Sequence, residues 1–121
     1  MSVDDDLGIL FTRQRILEIA RYRVLNAEDG DYALRIFEGY SIDLVLLDYE
    51  MPGMNGGNVA REMKARNPPV PVILVTASPI LRGTELRAEC LVAKGEGPAL
   101  LLEKINQFLR CRFHPIGPRS S

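Results

Sequence analysis

The run Ile42-Asp43-Leu44-Val45-Leu46-Leu47-Asp48 is apolar from Leu44 to Leu47 with no alternation of polar and apolar positions. A strand with one face in water alternates; a strand covered on both faces does not, and parallel sheets with helices on each side produce that pattern. Val70 to Thr76 repeats it, with Pro71 near the start, where a missing donor is tolerated. Between the two runs, Met51-Pro52-Gly53-Met54-Asn55-Gly56-Gly57 reads as a loop, and Asn58 to Arg66 as a helix stopped by Asn67-Pro68-Pro69.

Upstream, Leu7 to Ala20 carries Leu10, Ile16, Leu17 and Ala20 on one helical stripe and predicts Arg13, Arg15 and Glu18 on the outer face. Tyr22 to Ala27 reads as a short strand, Asp29-Gly30 as a turn, and Asp31 to Glu38 as a helix through Ala33, Leu34 and Phe37. Downstream, Pro79 to Glu89 is a weak helix interrupted by Gly83, and Cys90 to Ala93 a last strand. Pro98 opens a final helix that buries Leu101, Leu102, Ile105, Phe108 and Leu109. Strand and helix in alternation predict an α/β domain: a doubly wound, five-stranded parallel sheet with right-handed crossovers.

With 121 residues, 46% hydrophobic and 26% charged, the chain has the size and composition of one globular domain. A net charge of −1 exerts no general pull toward nucleic acid, and Arg110, Arg112 and Arg119 are too few for useful DNA affinity. The apolar runs fall far short of the ~18 residues that cross a bilayer. Asp4-Asp5-Asp6 near the start is the reverse of a cationic secretory signal. Cys90 and Cys111, too far apart in sequence to suggest a paired motif, read as reduced thiols. These features predict a cytoplasmic domain, 1–109, with a flexible tail, 110–121, that binds neither nucleic acid nor membrane.

In doubly wound sheets the working site lies at the carboxyl ends of the strands. Those ends carry Asp4-Asp5-Asp6, Asp48, Thr76 and Lys94. Clustered carboxylates repel unless a cation compensates, and oxygen-only ligands favour a hard ion such as Mg²⁺. A carboxylate beside that ion can attack a phosphoryl group and carry it as an acyl phosphate, with a lysine neutralising the transferring oxygens. Taken singly, each residue has an ordinary reading: Asp6 as a helix cap, Asp48 as a turn former, Thr76 as a strand filler, Lys94 as a surface lysine. His114 reads as an exposed bystander.

The runs Val3-Asp4-Asp5-Asp6, Leu44-Val45-Leu46-Leu47-Asp48 and Met51-Pro52-Gly53-Met54-Asn55-Gly56, followed by Thr76-Ala77 and Lys94, resemble the receiver domain of two-component response regulators. The resemblance spans Val3 to Leu109 and implies a flavodoxin-like sheet of order 2-1-3-4-5. It implies Asp48 as phosphoacceptor, Asp4 and Asp5 as the acidic pair with Asp5 the more direct Mg²⁺ ligand, and the Glu50 carbonyl as a third protein ligand. Thr76 is then the switch hydroxyl and Lys94 the phosphate-pairing ammonium. A histidine kinase or phosphotransfer protein would supply the phosphoryl group, slow self-catalysed hydrolysis would remove it, and a downstream protein would read it.

The sequence departs from the family pattern at four places. Strand one is truncated, with only Met1-Ser2-Val3 ahead of the acidic run, which predicts neighbouring backbone groups short of partners. Gly95 replaces the usual proline after Lys94, predicting a mobile loop over 94–97; Leu91 stands where the switch aromatic is usual. The stretch from Thr76 to Lys94 is short, predicting a stunted fourth helix. Leu91, Gly95 and the short fourth helix support an alternative, a receiver-like docking scaffold that works without phosphorylation and whose partner affinity beryllofluoride would not change. A phosphohydrolase with an Asp nucleophile would favour Asp-x-Asp, where this chain has Asp48-Tyr49-Glu50.

Overall fold

In this computed structural model the described residues are 1–51, 53–77 and 90–113. The helix expected over Pro79–Glu89, with its predicted shortening, and His114 lie outside them. The elements run β1 (Ser2–Val3), α1 (Leu7–Ile19), β2 (Asn26–Ala27), α2 (Gly30–Gly39), β3 (Val45–Asp48), β4 (Glu50–Met51), β5 (Met54–Asn55), α3 (Gly56–Arg66), β6 (Val72–Thr76), β7 (Cys90–Ala93) and α4 (Pro98–Phe113). The five parallel strands are ordered β2-β1-β3-β6-β7, the order expected.

Side chains of a strand point to alternate faces, and both faces of this sheet are apolar, which explains the missing alternation. Val45 and Leu47 of β3, with Val72 and Leu74 of β6, pack into one core with Ala33, Phe37, Val59 and Met63 of α2 and α3. Leu46 and Ile73 turn the other way, into a second core with Leu17 of α1 and Ile105 of α4. Tyr22, just past α1, also hydrogen-bonds to Asn106 of α4.

The short first strand does not leave its neighbours unpaired. The Met1 amine donates to the Leu44 carbonyl at 2.7 Å, and the Leu46 N–H to the Met1 carbonyl at 2.8 Å. On the other edge Ser2 and Asp4 donate to the carbonyls of Leu25 and Ala27. Pairing from the first residue removes the expected deficit.

Three local expectations change. Arg13 is not on the outer face of α1: it is buried, on the same stripe as Leu10 and Leu17. The segment expected as loop from Met51 to Gly57 is partly regular, because β4 pairs antiparallel with β5 and Gly56 and Gly57 already belong to α3. Asn55 makes that early start possible by accepting the Gly57 N–H at 2.7 Å. The strand expected over Tyr22–Ala27 shrinks to Asn26–Ala27, because β1 offers only two residues to pair with it.

Candidate functional site at the strand ends

Each site residue is placed by the end of an element. β1 ends at Val3, so Asp4 follows directly into the crevice, and Asp6 turns the chain into α1 by accepting the Gly8 and Ile9 N–H groups at 2.9 and 3.2 Å. The capping reading of Asp6 therefore holds. Asp48 closes β3, Thr76 closes β6, and Lys94 follows β7 in a 3₁₀ turn over Lys94–Glu96. That turn is tied by the Glu96 carboxylate, which accepts the Ala93 N–H at 3.3 Å. Gly56 packs so closely under the site that a Cβ there would lie 2.5 Å from the Asp48 carbonyl oxygen, so only glycine fits without a shift.

Asp4, Asp5 and Asp48 each bring a carboxylate oxygen within 4.8 Å of the others, Asp4 and Asp48 buried and Asp5 exposed. Lys94 Nζ donates to Asp48 Oδ1 at 3.0 Å, and the Glu50 N–H reaches the same oxygen at 3.3 Å. Among the described residues, Asp4 Oδ2 and Asp48 Oδ2 have no hydrogen-bond partner. Two buried carboxylate oxygens without a hydrogen-bond donor, close to an exposed third carboxylate, are a donor set that fits a hard divalent cation.

The electrostatics follow from this packing. Burial pushes the Asp48 carboxyl up to about 6, the charge of Asp4 adds to the rise, and Lys94 and the Glu50 N–H hold it back. Burial opposes the charge on Lys94, but its bond to Asp48 outweighs that and holds the ammonium above its ordinary value. Thr76 Oγ1 donates to Glu50 Oε2 at 2.5 Å, and the Ala77 N–H donates to Glu50 Oε1 at 3.1 Å. Burial would raise Glu50, but these two bonds and the nearby Lys94 charge keep it below the usual carboxylate range.

Two features were missed in the sequence. Glu50 enters through its side chain, bound to the Thr76 hydroxyl, as well as through its backbone N–H. Arg13 sits beneath the cluster, with Nη2 3.8 Å from Asp4 Oδ2 and Nη1 donating to Ser2 Oγ at 3.2 Å. Its position three residues after Leu10 and four before Leu17 marks it as core-facing by helical period.

Comparison with known proteins points the same way. The family model for the response regulator receiver domain matches residues 1–106. A probable transcriptional regulator, ycf27, of Cyanidium caldarium is 37% identical over 114 residues, covering 91% of this chain and 45% of that protein. The chain thus spans about half the length of this relative. Among solved structures, response regulator TrrA of Thermotoga maritima in complex with Mg²⁺-BeF is 34% identical with a TM-score of 0.85, covering 89% of this chain and 96% of that one. The same protein in complex with histidine kinase ThkA gives a TM-score of 0.83 at 34% identity, covering 89% and 95%. With the sheet order, the acidic crevice and a match over nearly its whole length in agreement, the chain belongs to the response regulator receiver domains of two-component signal transduction.

Proposed function

We propose that this domain is a phosphoacceptor switch in which Asp48 takes a phosphoryl group from a histidine kinase or phosphotransfer protein. The observation that carries the proposal is the approach of three carboxylates within 4.8 Å at the point where Lys94 meets Asp48. Asp4, Asp5, Asp48 and the Glu50 carbonyl would hold Mg²⁺, which supplies charge neutralisation for the transferring phosphoryl oxygens. The kinase-bound and Mg²⁺-BeF-bound states of the Thermotoga maritima relative support the donor class and the ion.

The chain's own residues then divide the work. A carboxylate oxygen of Asp48 attacks phosphorus, the bond from phosphorus to the donor breaks, and the donor leaves with the bonding pair. Lys94, already 3.0 Å from Asp48, is placed to stabilise the negative oxygens of the incoming group. Hydrolysis by water returns inorganic phosphate and the free carboxylate. Thr76 must exchange Glu50 for a phosphoryl oxygen, and that exchange is the local event that biases the β6–β7 face toward a second arrangement. Leu91 is packed against the core beside this face, so the shift reaches a partner through backbone and Thr76 rather than through an aromatic side chain.

The domain extends over 1–109 in this reading, with 110–121 as a tail, although α4 continues to Phe113. A downstream protein reads the state, nucleic acid is not bound directly, and the setting is the cytoplasm. No helix among the described residues is long and apolar enough to cross a membrane.

Incubation of the chain with acetyl phosphate and Mg²⁺ is expected to add one phosphate by intact mass, and chelation of the Mg²⁺ to prevent it. A chain that stays unmodified, or is modified equally after chelation, contradicts the proposal.

A further inference from the structure

Arg13 occupies a position where α1 calls for an apolar side chain. Leu10, Arg13 and Leu17 are the buried residues of the helix, and Arg13 is only 8% exposed. Burying a guanidinium is costly unless charge and hydrogen bonds answer it. Among the described residues the answer is incomplete as structure alone: one hydrogen bond to Ser2 Oγ, and an approach of 3.8 Å to Asp4 Oδ2 that is too long for a hydrogen bond. The Arg13 charge interacts first with Asp4 and next with Asp48. It is thus a fixed cation held next to the acidic cluster, in addition to Lys94.

We propose that Arg13 is a resident counter-cation that holds Asp4 and sets the divalent-ion affinity of the Asp4–Asp5–Asp48 cluster. The inference rests on the reading of that cluster as a Mg²⁺ site. Three carboxylates against Lys94 and Arg13 carry a formal charge of −1; without Arg13 it is −2. Arg13 therefore lets the buried carboxylates persist in the metal-free protein and makes the cluster less attractive to a dication. A guanidinium never releases its proton at working pH, so the effect is permanent rather than switched. Arg13 touches no reacting atom; it is a positioning residue that acts through Asp4.

Arg13 borders a cavity of ≈550 Å³ lined also by Thr12, Val75, Lys94 and Leu101 among others. Space of that size admits water, so a neutral polar side chain at position 13 can be hydrated rather than stranded. Arg13→Gln removes the charge and keeps a donor for Ser2; Arg13→Leu restores the apolar stripe; Arg13→Lys retains the charge.

Mg²⁺ titrations of the full chain, followed by backbone amide NMR shifts, test the proposal. Arg13→Gln and Arg13→Leu are expected to bind Mg²⁺ about tenfold more tightly than wild type, the change that ~1.4 kcal/mol gives. Arg13→Lys is expected to bind as wild type does. Thermal melts should show both neutral variants less stable than wild type without metal and gaining more from added Mg²⁺. Unchanged or weaker Mg²⁺ binding in whichever neutral variant folds overturns the role of Arg13, as does tightening in Arg13→Lys equal to that in Arg13→Gln. A wild type that binds no Mg²⁺ removes the site reading as well, so the two failures are told apart.

Discussion

Phosphate incorporation from acetyl phosphate is expected to vanish in Asp48→Asn, and the same variant is expected to be more stable than wild type above pH 6. Loss of incorporation follows because the amide is not a nucleophile and Asp48 is the carboxylate that Lys94 bonds at 3.0 Å. The gain in stability follows from burial. Asp48 is fully enclosed beside Asp4, which raises its carboxyl from the ordinary 3.8 to about 6. An acid with a raised value in the folded state binds its proton more tightly there than when unfolded. Its contribution therefore falls as pH rises from about 4 through about 6 and stays low above that. Asn, which matches its size and carries no charge, removes this penalty of up to about 3 kcal/mol at pH 8. Calorimetric melts at pH 5 and pH 8 should show the gap between variant and wild type widening with pH. A variant that still takes phosphate, or that is no more stable at pH 8, contradicts the assignment.

The same crossing of sequence signal and packing explains what was legible beforehand. β3 and β6 stood out because strands buried on both faces are uninterrupted apolar runs, and their terminal Asp48 and Thr76 then located the crevice. The strand ends also delivered Asp4, Asp5 and Lys94, since in a doubly wound sheet the last residue of each strand falls at the same edge. Glu50 was legible only as a backbone contributor. It lies two residues past Asp48, at the start of β4, and nothing local shows that its side chain will reach across to Thr76 on another strand. Arg13 was misplaced for a different reason. A charged residue is assigned to the outer face by default, whereas the helical period shared with Leu10 and Leu17 puts it inside, where Asp4 and Ser2 meet it. The β4–β5 pairing and the early start of α3 depend on Asn55 as a cap and on Gly56 under Asp48, contacts that a glycine-rich loop does not announce.

The second large effect concerns Lys94. Lys94→Met keeps the aliphatic stem and removes the ammonium that lies 3.0 Å from Asp48 Oδ1. Two consequences follow from that single loss. Phosphorylation by acetyl phosphate is expected to slow by roughly 10²-fold, the usual cost of deleting a donor that stabilises developing charge. In the metal-free protein Asp48 is expected to titrate above its wild-type value of about 6, since Lys94 is the strongest influence holding it down. Carboxyl-carbon NMR titration reads the second effect without any phosphoryl donor, which separates it from the first. A wild-type phosphorylation rate, or an Asp48 titration unmoved or shifted downward, would contradict the place given to Lys94.

The central claim is that Asp4, Asp5 and Asp48, brought from two strand ends, share one divalent ion beside an acceptor carboxylate. A crystal structure of the chain grown with Mg²⁺ and beryllofluoride tests it most directly. The account predicts beryllium on an Asp48 carboxylate oxygen, Mg²⁺ at about 2.1 Å from oxygens of Asp5 and Asp48, and the Thr76 hydroxyl turned from Glu50 to a fluoride. Mg²⁺ bound away from the cluster, or an Asp48 left unmodified with Thr76 still on Glu50, would contradict it.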